Sequence, residues 1–150
     1  MRILFVCTGN TCRSPMAAAL MRRELDKRGA GNIIIDSAGL AAFGQPASPN
    51  AVAAIEELGG GYSQILKEHK SSTVTREMLE QSDIIAVMSD SHAKAVIELG
   101  ADPERVRVLA GDGNGIEDPF MGDINVYRQT RDQLEKAVRD LADDVIKNEE

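Results

Sequence analysis

The segment from Arg2 to Pro15 reads RILFVCTGNTCRSP, and it decides the fold. Its first six residues are mostly apolar, which is typical of a strand buried on both faces. Ser14 and Pro15 follow after a short loop, and a serine before a proline predicts the start of a helix. Apolar residues then recur at helical spacing as far as Gly29. The segment therefore predicts a strand, a tight loop and a helix in direct succession.

Strand and helix patterns alternate along the rest of the chain. Further strands are predicted at residues 32–36, 83–89 and 106–109. Helices are predicted after Ser48-Pro49, after a Thr75 N-cap, from Ser91 to Leu99, and after an Asp123 N-cap. This alternation predicts one α/β domain over residues 1–150, with a central four-stranded parallel sheet in a three-layer α/β/α arrangement.

The composition is that of an ordinary globular domain, with 43% hydrophobic and 27% charged residues among 150. The net charge of -7 argues against a nucleic-acid partner. No apolar run approaches the roughly 20 residues of a membrane span, and the N-terminus lacks the pattern of a signal peptide. Two cysteines do not make a disulfide scaffold. We expect a monomeric, cytoplasmic protein that binds neither nucleic acid nor membrane.

Ligands of parallel α/β sheets bind beyond the carboxyl ends of the strands. Three segments are predicted to lie at that edge. They are the loop after Cys7, a turn at Ser37-Ala38-Gly39, and a glycine-rich loop at residues 110–122. We expect the functional site where these three segments meet.

The loop after Cys7 has the features of an oxyanion site. A loop between a strand and a helix N-terminus can point several backbone N–H groups inward at a phosphate, and Gly9 and Asn10 tolerate the left-handed backbone that such a curl requires. Arg13 can add a bidentate, charge-assisted pair of hydrogen bonds to two phosphate oxygens. We expect Cys7 to be an ionised nucleophile beneath the phosphate. The predicted phosphate-binding residues are Thr8, Gly9, Asn10, Thr11, Cys12, Arg13 and Ser14.

A thiolate that attacks phosphorus needs a partner to protonate the leaving group. Asp118 in the glycine-rich loop is the candidate, because this loop is expected at the same edge of the sheet. Pro119 fixes the local backbone, and Phe120 can cover the site from water. A solvated Asp-Pro turn is the alternative interpretation.

The chain resembles the low-molecular-weight protein phosphatase family over essentially its whole length. The resemblance is carried by the loop from Cys7 to Ser14, the Ser37-Ala38-Gly39 turn and the Asp118-Pro119 loop. The resemblance implies a cysteine-dependent hydrolase in which Cys7 attacks and Asp118 acts first as acid and then as base, with Arg13 and the loop amides binding phosphate. It implies that Asn10, Ser14 and Ser37 hold the loop from behind, with His69 either beside them or on the surface. It implies neither a metal nor another cofactor, and its substrates are phosphorylated proteins.

The residue at position 11 bears on the substrate. Tyrosine-specific members usually carry isoleucine there. A threonine at this position, as in Thr11, is similar to what the bacterial protein arginine phosphatases of the family carry. Thr11 can equally be a neutral replacement in the loop. Leu40, Phe43 and Phe120 are expected to line the cleft, although Leu40 and Phe43 can also be core residues. The resemblance thus implies phosphoarginine as the substrate, with phosphotyrosine as the alternative.

Three other functions fit the sequence less well. An arsenate reductase would need further cysteines downstream, and a zinc site from the two cysteines with His69 and His92 lacks a recognised spacing. A non-catalytic phosphate-binding module would be expected to lack the nucleophile or the acid. Cys12 itself can either trap an oxidised Cys7 as a disulfide, which makes the enzyme redox-sensitive, or be a small buried hydrophobic residue.

Overall fold

The computed structural model describes residues 1–109 and 115–149. Four parallel strands form one sheet in the order β2-β1-β3-β4. The strands are β1 (Arg2–Cys7), β2 (Ile34–Gly39), β3 (Ile84–Val87) and β4 (Val106–Val108). The apolar segment at the N-terminus thus becomes a central strand, and the predicted four-stranded parallel sheet is confirmed.

Helices cover both faces of the sheet. They are α1 (Arg13–Lys27), α2 (Pro49–Glu56), α3 (Ser63–Lys67), α4 (Arg76–Gln81), α5 (Asp90–Glu98) and α6 (Ile124–Glu149), with a short 3-10 turn at Pro103–Arg105. Ile3 and Phe5 of β1 pack in one hydrophobic cluster with α1, α2 and α6. Leu4 and Val6 pack in a second cluster, on the opposite face, with α4 and α5. Alternate residues of β1 therefore support the two cores, and the three-layer architecture is confirmed.

The second strand differs from its predicted position. Residues 37–39, predicted as a turn, form the end of β2 and pair with residues 5–7 of β1. A Cβ atom at Gly39 would lie 2.7 Å from the carbonyl oxygen of Thr8, so only glycine lets the two backbones approach so closely. The expected turn was wrong because β2 continues until it reaches the loop that it supports.

The starts of three helices agree only in part with prediction. Ser14, predicted as an N-cap, lies inside the first turn of α1, which begins at Arg13. Helix α2 begins at Pro49 directly after Ser48, as predicted, although the Ser48 side chain makes no capping hydrogen bond. Helix α5 begins at Asp90 and is capped by Ser89, whereas it was predicted to begin at Ser91. The Ser14 and Ser48 hydroxyls bond to cysteine sulfurs instead.

Two predicted caps are confirmed. The Thr75 hydroxyl accepts a hydrogen bond from the Met78 N–H, and the Asp123 carboxylate accepts one from the Val126 N–H. Helix α3 was not predicted, because its five residues are too few to show a helical period. In the parts of the chain that the structure describes, no helix is both long and apolar enough to cross a membrane.

Candidate active site

Cys7 ends β1, and its side chain lies inside the curled loop that leads to α1. The residue is 2% exposed. Its Sγ accepts a hydrogen bond from the backbone N–H of Asn10 at 3.3 Å and lies 3.0 Å from Ser14 Oγ. Because Ser14 Oγ accepts a hydrogen bond from the Asn10 side-chain amide, the Ser14 hydrogen is free for donation to the sulfur. These donors and the N-terminus of α1 favour negative charge on the sulfur.

Asn10 is the buried centre of the loop and is fully enclosed. Its φ of 57° lies in the left-handed region that the sequence predicted for this position. Its amide nitrogen donates to Ser14 Oγ at 2.7 Å and to Ser37 Oγ at 3.0 Å, and its amide oxygen accepts from the Ser72 N–H. Nε2 of His69 lies 2.6 Å from the Asn10 carbonyl oxygen. The structure therefore brings Ser14, Ser37 and His69 together around Asn10, and none of the three lines the cleft.

Arg13 connects the loop to the segment that carries Asp118. The side chain is buried, and its Nη1 donates to the carbonyl oxygen of Ile116 at 3.1 Å. Its Nη2 lies 3.5 Å from Asp118 Oδ2. The expected cation and carboxylate are thus neighbours, although 105 positions separate them in the chain.

The Asp118 segment is held by α6. Gln133 bonds to the N–H of Glu117 and to the carbonyl of Gly115, and Thr130 donates to the carbonyl of Glu117. Asp118 Oδ1 accepts a hydrogen bond from the N–H of Phe120. The Asp118 side chain is 52% exposed, so water can reach its carboxylate. Residues 110–114 of the predicted glycine-rich loop lie outside the described residues.

The loop and Asp118 border a cleft of about 280 Å³. It is lined by residues 7–13 together with Ala41, Phe43, Gln45, Asp118 and Phe120. Phe43 and Phe120 are largely exposed at its rim. Leu40, which was expected in this wall, does not line the cleft and packs against the hydrophobic cluster of α4 and α5. Ser14, expected to bind phosphate, is fully buried and lies behind the cleft.

Cys12 takes part in a second set of contacts. Its Sγ lies 3.0 Å from Ser48 Oγ and 3.2 Å from Tyr127 Oη, and both cysteines are free thiols. Burial and the hydrogen bond with Cys12 raise the pKa of Tyr127 to about 12. Tyr127 therefore keeps its proton at neutral pH and can donate it to the sulfur. Tyr127 is not distinguished by the sequence pattern, because it belongs to the apolar stripe of α6.

His92, weighed above only as a zinc ligand, lies beside the cleft. It lies in the first turn of α5, and its Nε2 is 2.9 Å from Thr8 Oγ1. Burial and the charge of Arg13 lower the pKa of His92 from its ordinary value of 6.5 to about 4, and Asp118 opposes this shift. Its position just after the end of a strand, at the edge of the sheet where ligands bind, could have indicated this role for His92 from the sequence.

A family model described as low molecular weight phosphotyrosine protein phosphatase matches residues 2–150. The chain belongs to this family. Its members are phosphatases that act on phosphorylated proteins, so the protein is an enzyme of this class.

Relatives of this low-molecular-weight phosphatase have two kinds of name. The chain is 39% identical to the protein-arginine-phosphatase of Bacillus subtilis (strain 168), covering 95% of each sequence. It is 36% identical to the low molecular weight protein-tyrosine-phosphatase PtpB of Staphylococcus haemolyticus, covering 89% of this chain and 92% of the relative. A solved structure of the YwlE arginine phosphatase with a phosphorylated active-site serine has a TM-score of 0.86 at 37% identity, covering 98% of this chain and 97% of that one.

Proposed function

We propose that this phosphatase removes phosphate from phosphoarginine in proteins, with Cys7 as its nucleophile. The observation that carries the proposal is that Cys7, Arg13 and Asp118 all line one cleft. Phosphoryl transfer through a covalent intermediate needs a nucleophile, an anion clamp and a proton donor, and these three side chains supply them. The name of the 39% identical relative supports phosphoarginine as the substrate.

In the first step the phosphoryl oxygens bind to the backbone N–H groups of the loop and to the Arg13 guanidinium. The Cys7 thiolate attacks phosphorus from below, and the Ser14 hydroxyl stabilises the sulfur charge until attack. A sulfur–phosphorus bond forms as the phosphorus–nitrogen bond of phosphoarginine breaks. Asp118 gives its proton to the departing guanidino nitrogen, which leaves the arginine side chain intact.

In the second step water replaces the departed arginine. Asp118 is now a carboxylate, and its half-exposed side chain can take a proton from that water. The water oxygen attacks phosphorus, and the sulfur–phosphorus bond breaks. Inorganic phosphate leaves, the Cys7 thiolate returns, and Asp118 holds the proton for the next cycle.

Thr11 supports selection of a guanidino group. It lies in the cleft wall, and its Oγ1 contacts Cys12 Sγ only at 3.7 Å. The hydroxyl oxygen can therefore accept a hydrogen bond from a guanidino N–H. The phenyl ring of phosphotyrosine offers no such donor, and the methyl groups of an isoleucine would suit it better.

Phosphotyrosine is the second candidate substrate, because Phe43 and Phe120 stand exposed at the cleft rim. Aromatic side chains stack on a phenyl ring, but they also stack on a guanidinium plane. The rim therefore accepts either substrate, and the polar wall at Thr11 decides between them.

The test is side-by-side hydrolysis of a phosphoarginine-bearing protein and a phosphotyrosine peptide by the intact protein. We expect the higher kcat/KM for the phosphoarginine protein. The Cys7→Ser variant is the control, because it measures spontaneous loss of phosphate from the same substrates. A higher kcat/KM for the phosphotyrosine peptide would favour the second candidate.

We also propose that Cys12 protects Cys7 from irreversible oxidation. Peroxide converts the Cys7 thiolate to a sulfenic acid, and the Cys12 thiol then displaces water to form a disulfide. A thiol reductant would restore both cysteines. Peroxide treatment followed by disulfide mapping tests this, and equally complete thiol-dependent recovery of the Cys12→Ser variant would count against it.

A further inference from the structure

Thr8 and His92 form a polar pair whose contact the two proposed steps do not use. Nε2 of His92 lies 2.9 Å from Oγ1 of Thr8. His92 is 6% exposed, and its Nδ1 is the one buried side-chain polar atom without a hydrogen-bond partner in the part of the chain that the structure describes. An unpaired buried polar atom costs stability. Packing alone therefore gives no reason for a histidine here, and its contact with Thr8 is what it gains.

The pair lies beside the reacting groups. Thr8 is in the cleft wall together with Thr11 and Asp118. The charges of Arg13 and Asp118 both reach the His92 ring, where they act in opposite directions on its protonation. The leaving group must approach Asp118, which lines the same cleft as Thr8.

The unpaired Nδ1 indicates which way the hydrogen bond runs. A neutral imidazole carries one N–H, which can be at Nδ1 or at Nε2. Because buried N–H groups without an acceptor are rarer than unpaired acceptors, the proton is favoured at Nε2. His92 then donates to Thr8 Oγ1 and fixes the rotamer of the Thr8 side chain. The second lone pair of Thr8 Oγ1 remains available to a ligand in the cleft.

We propose that Thr8, positioned by His92, is a further specificity-determining residue that accepts a hydrogen bond from the guanidino leaving group. Guanidinium nitrogens are donors only, and each needs an acceptor when it leaves water. Thr11 and Asp118 are acceptors in the same cleft, and Thr8 adds a third. The phenyl leaving group of an aryl phosphate has no N–H to offer. The inference rests on the proposed phosphoarginine activity and assigns its selectivity to a second residue.

The test compares kcat/KM for a phosphoarginine protein with kcat/KM for p-nitrophenyl phosphate. Thr8→Val removes the hydroxyl but keeps the side-chain shape. We expect it to lower kcat/KM for phosphoarginine about tenfold more than kcat/KM for the aryl phosphate, which is the effect of one hydrogen bond to a charged group. His92→Leu should lower the same ratio, and His92→Gln should restore it because the glutamine amide can donate from the position of Nε2. In the Thr8→Val background, His92→Leu should cause no further fall.

Val96→Ala is the matched control, because Val96 is fully buried one turn further along α5 and does not line the cleft. It should lower stability while leaving the substrate ratio unchanged. Equal losses of kcat/KM for both substrates in Thr8→Val would overturn the inference. So would a further fall in the substrate ratio when His92→Leu is added to Thr8→Val. If the unmodified protein does not prefer phosphoarginine, both the proposed function and this inference are wrong. Thr8 is exposed, so its variant remains informative even if the His92 variants do not fold.

Discussion

The guanidinium of Arg13 donates a hydrogen bond to the carbonyl oxygen of Ile116, at 3.1 Å. The bond is buried, and it joins the first turn of α1 to the segment that carries Asp118. One side chain therefore serves two purposes. It offers its remaining N–H groups to phosphate, and it fixes the backbone two residues before the proposed acid.

Arg13→Lys is predicted to lower kcat by about 10²-fold or more, the effect of losing one fixed donor to a transition-state oxyanion. Lysine keeps the positive charge but cannot bond Ile116 and two phosphoryl oxygens together. Steady-state kinetics with p-nitrophenyl phosphate would measure the loss. Arg128→Lys is the control, because Arg128 is an exposed residue of α6 paired with Glu57. Wild-type kcat in Arg13→Lys would show that the bidentate pair of hydrogen bonds is not needed.

Asp118→Asn is predicted to slow turnover much more for substrates with poor leaving groups than for substrates with good ones. Asparagine has the same shape but gives no proton, and general acid catalysis contributes about 10²-fold to 10⁴-fold. A series of aryl phosphates with leaving groups of rising basicity would show the dependence. Asp123→Asn is the matched control in the same segment, because asparagine retains the oxygen that caps α6. Equal slowing across the series would remove Asp118 as the acid.

Thr11→Ile is predicted to shift preference from phosphoarginine toward phosphotyrosine. The change removes an acceptor and adds apolar surface to the cleft wall, and we expect the ratio of the two kcat/KM values to fall by at least about tenfold. Thr11→Ser keeps the hydroxyl and should keep the preference. An unchanged ratio in Thr11→Ile would show that another residue selects the substrate.

The stability of the protein is predicted to fall as the pH drops from 6.5 to about 4. Burial and the Arg13 charge lower the pKa of folded His92 to about 4 despite the opposing charge of Asp118, while the unfolded residue titrates near 6.5. Between these values the unfolded state binds a proton that the folded state does not, so the free energy of unfolding decreases. Urea unfolding of the protein and of His92→Gln over this range would measure the difference. Parallel pH dependence in the two would show that His92 is not responsible.

The sequence predicts best those parts of the site that are local in the chain. Cys7, Asn10, Arg13 and Ser14 lie within eight residues between a strand and a helix, so their chemistry and their placement could be inferred together. The Asp118 segment could also be placed, because parallel strands end at one edge of the sheet.

The features that the sequence did not predict depend on contacts between distant segments. His92 is 84 residues from Thr8, and Tyr127 is 115 residues from Cys12, so no spacing in the sequence connects them. The register that extends β2 to Gly39 is set by its pairing with β1. Leu40 was misplaced for the same reason, since the direction of its side chain depends on where β2 ends.

Direct detection of phosphate on Cys7 tests whether this residue is the nucleophile. The protein would be mixed with a radiolabelled phosphoarginine protein, denatured rapidly during turnover, digested, and searched for labelled peptides. We predict label on the sulfur of Cys7 in the unmodified protein and in Asp118→Asn, where the second step is slowed, and no release of phosphate by Cys7→Ser. Continued release of phosphate by Cys7→Ser, or label on another residue during turnover, would contradict the proposed mechanism.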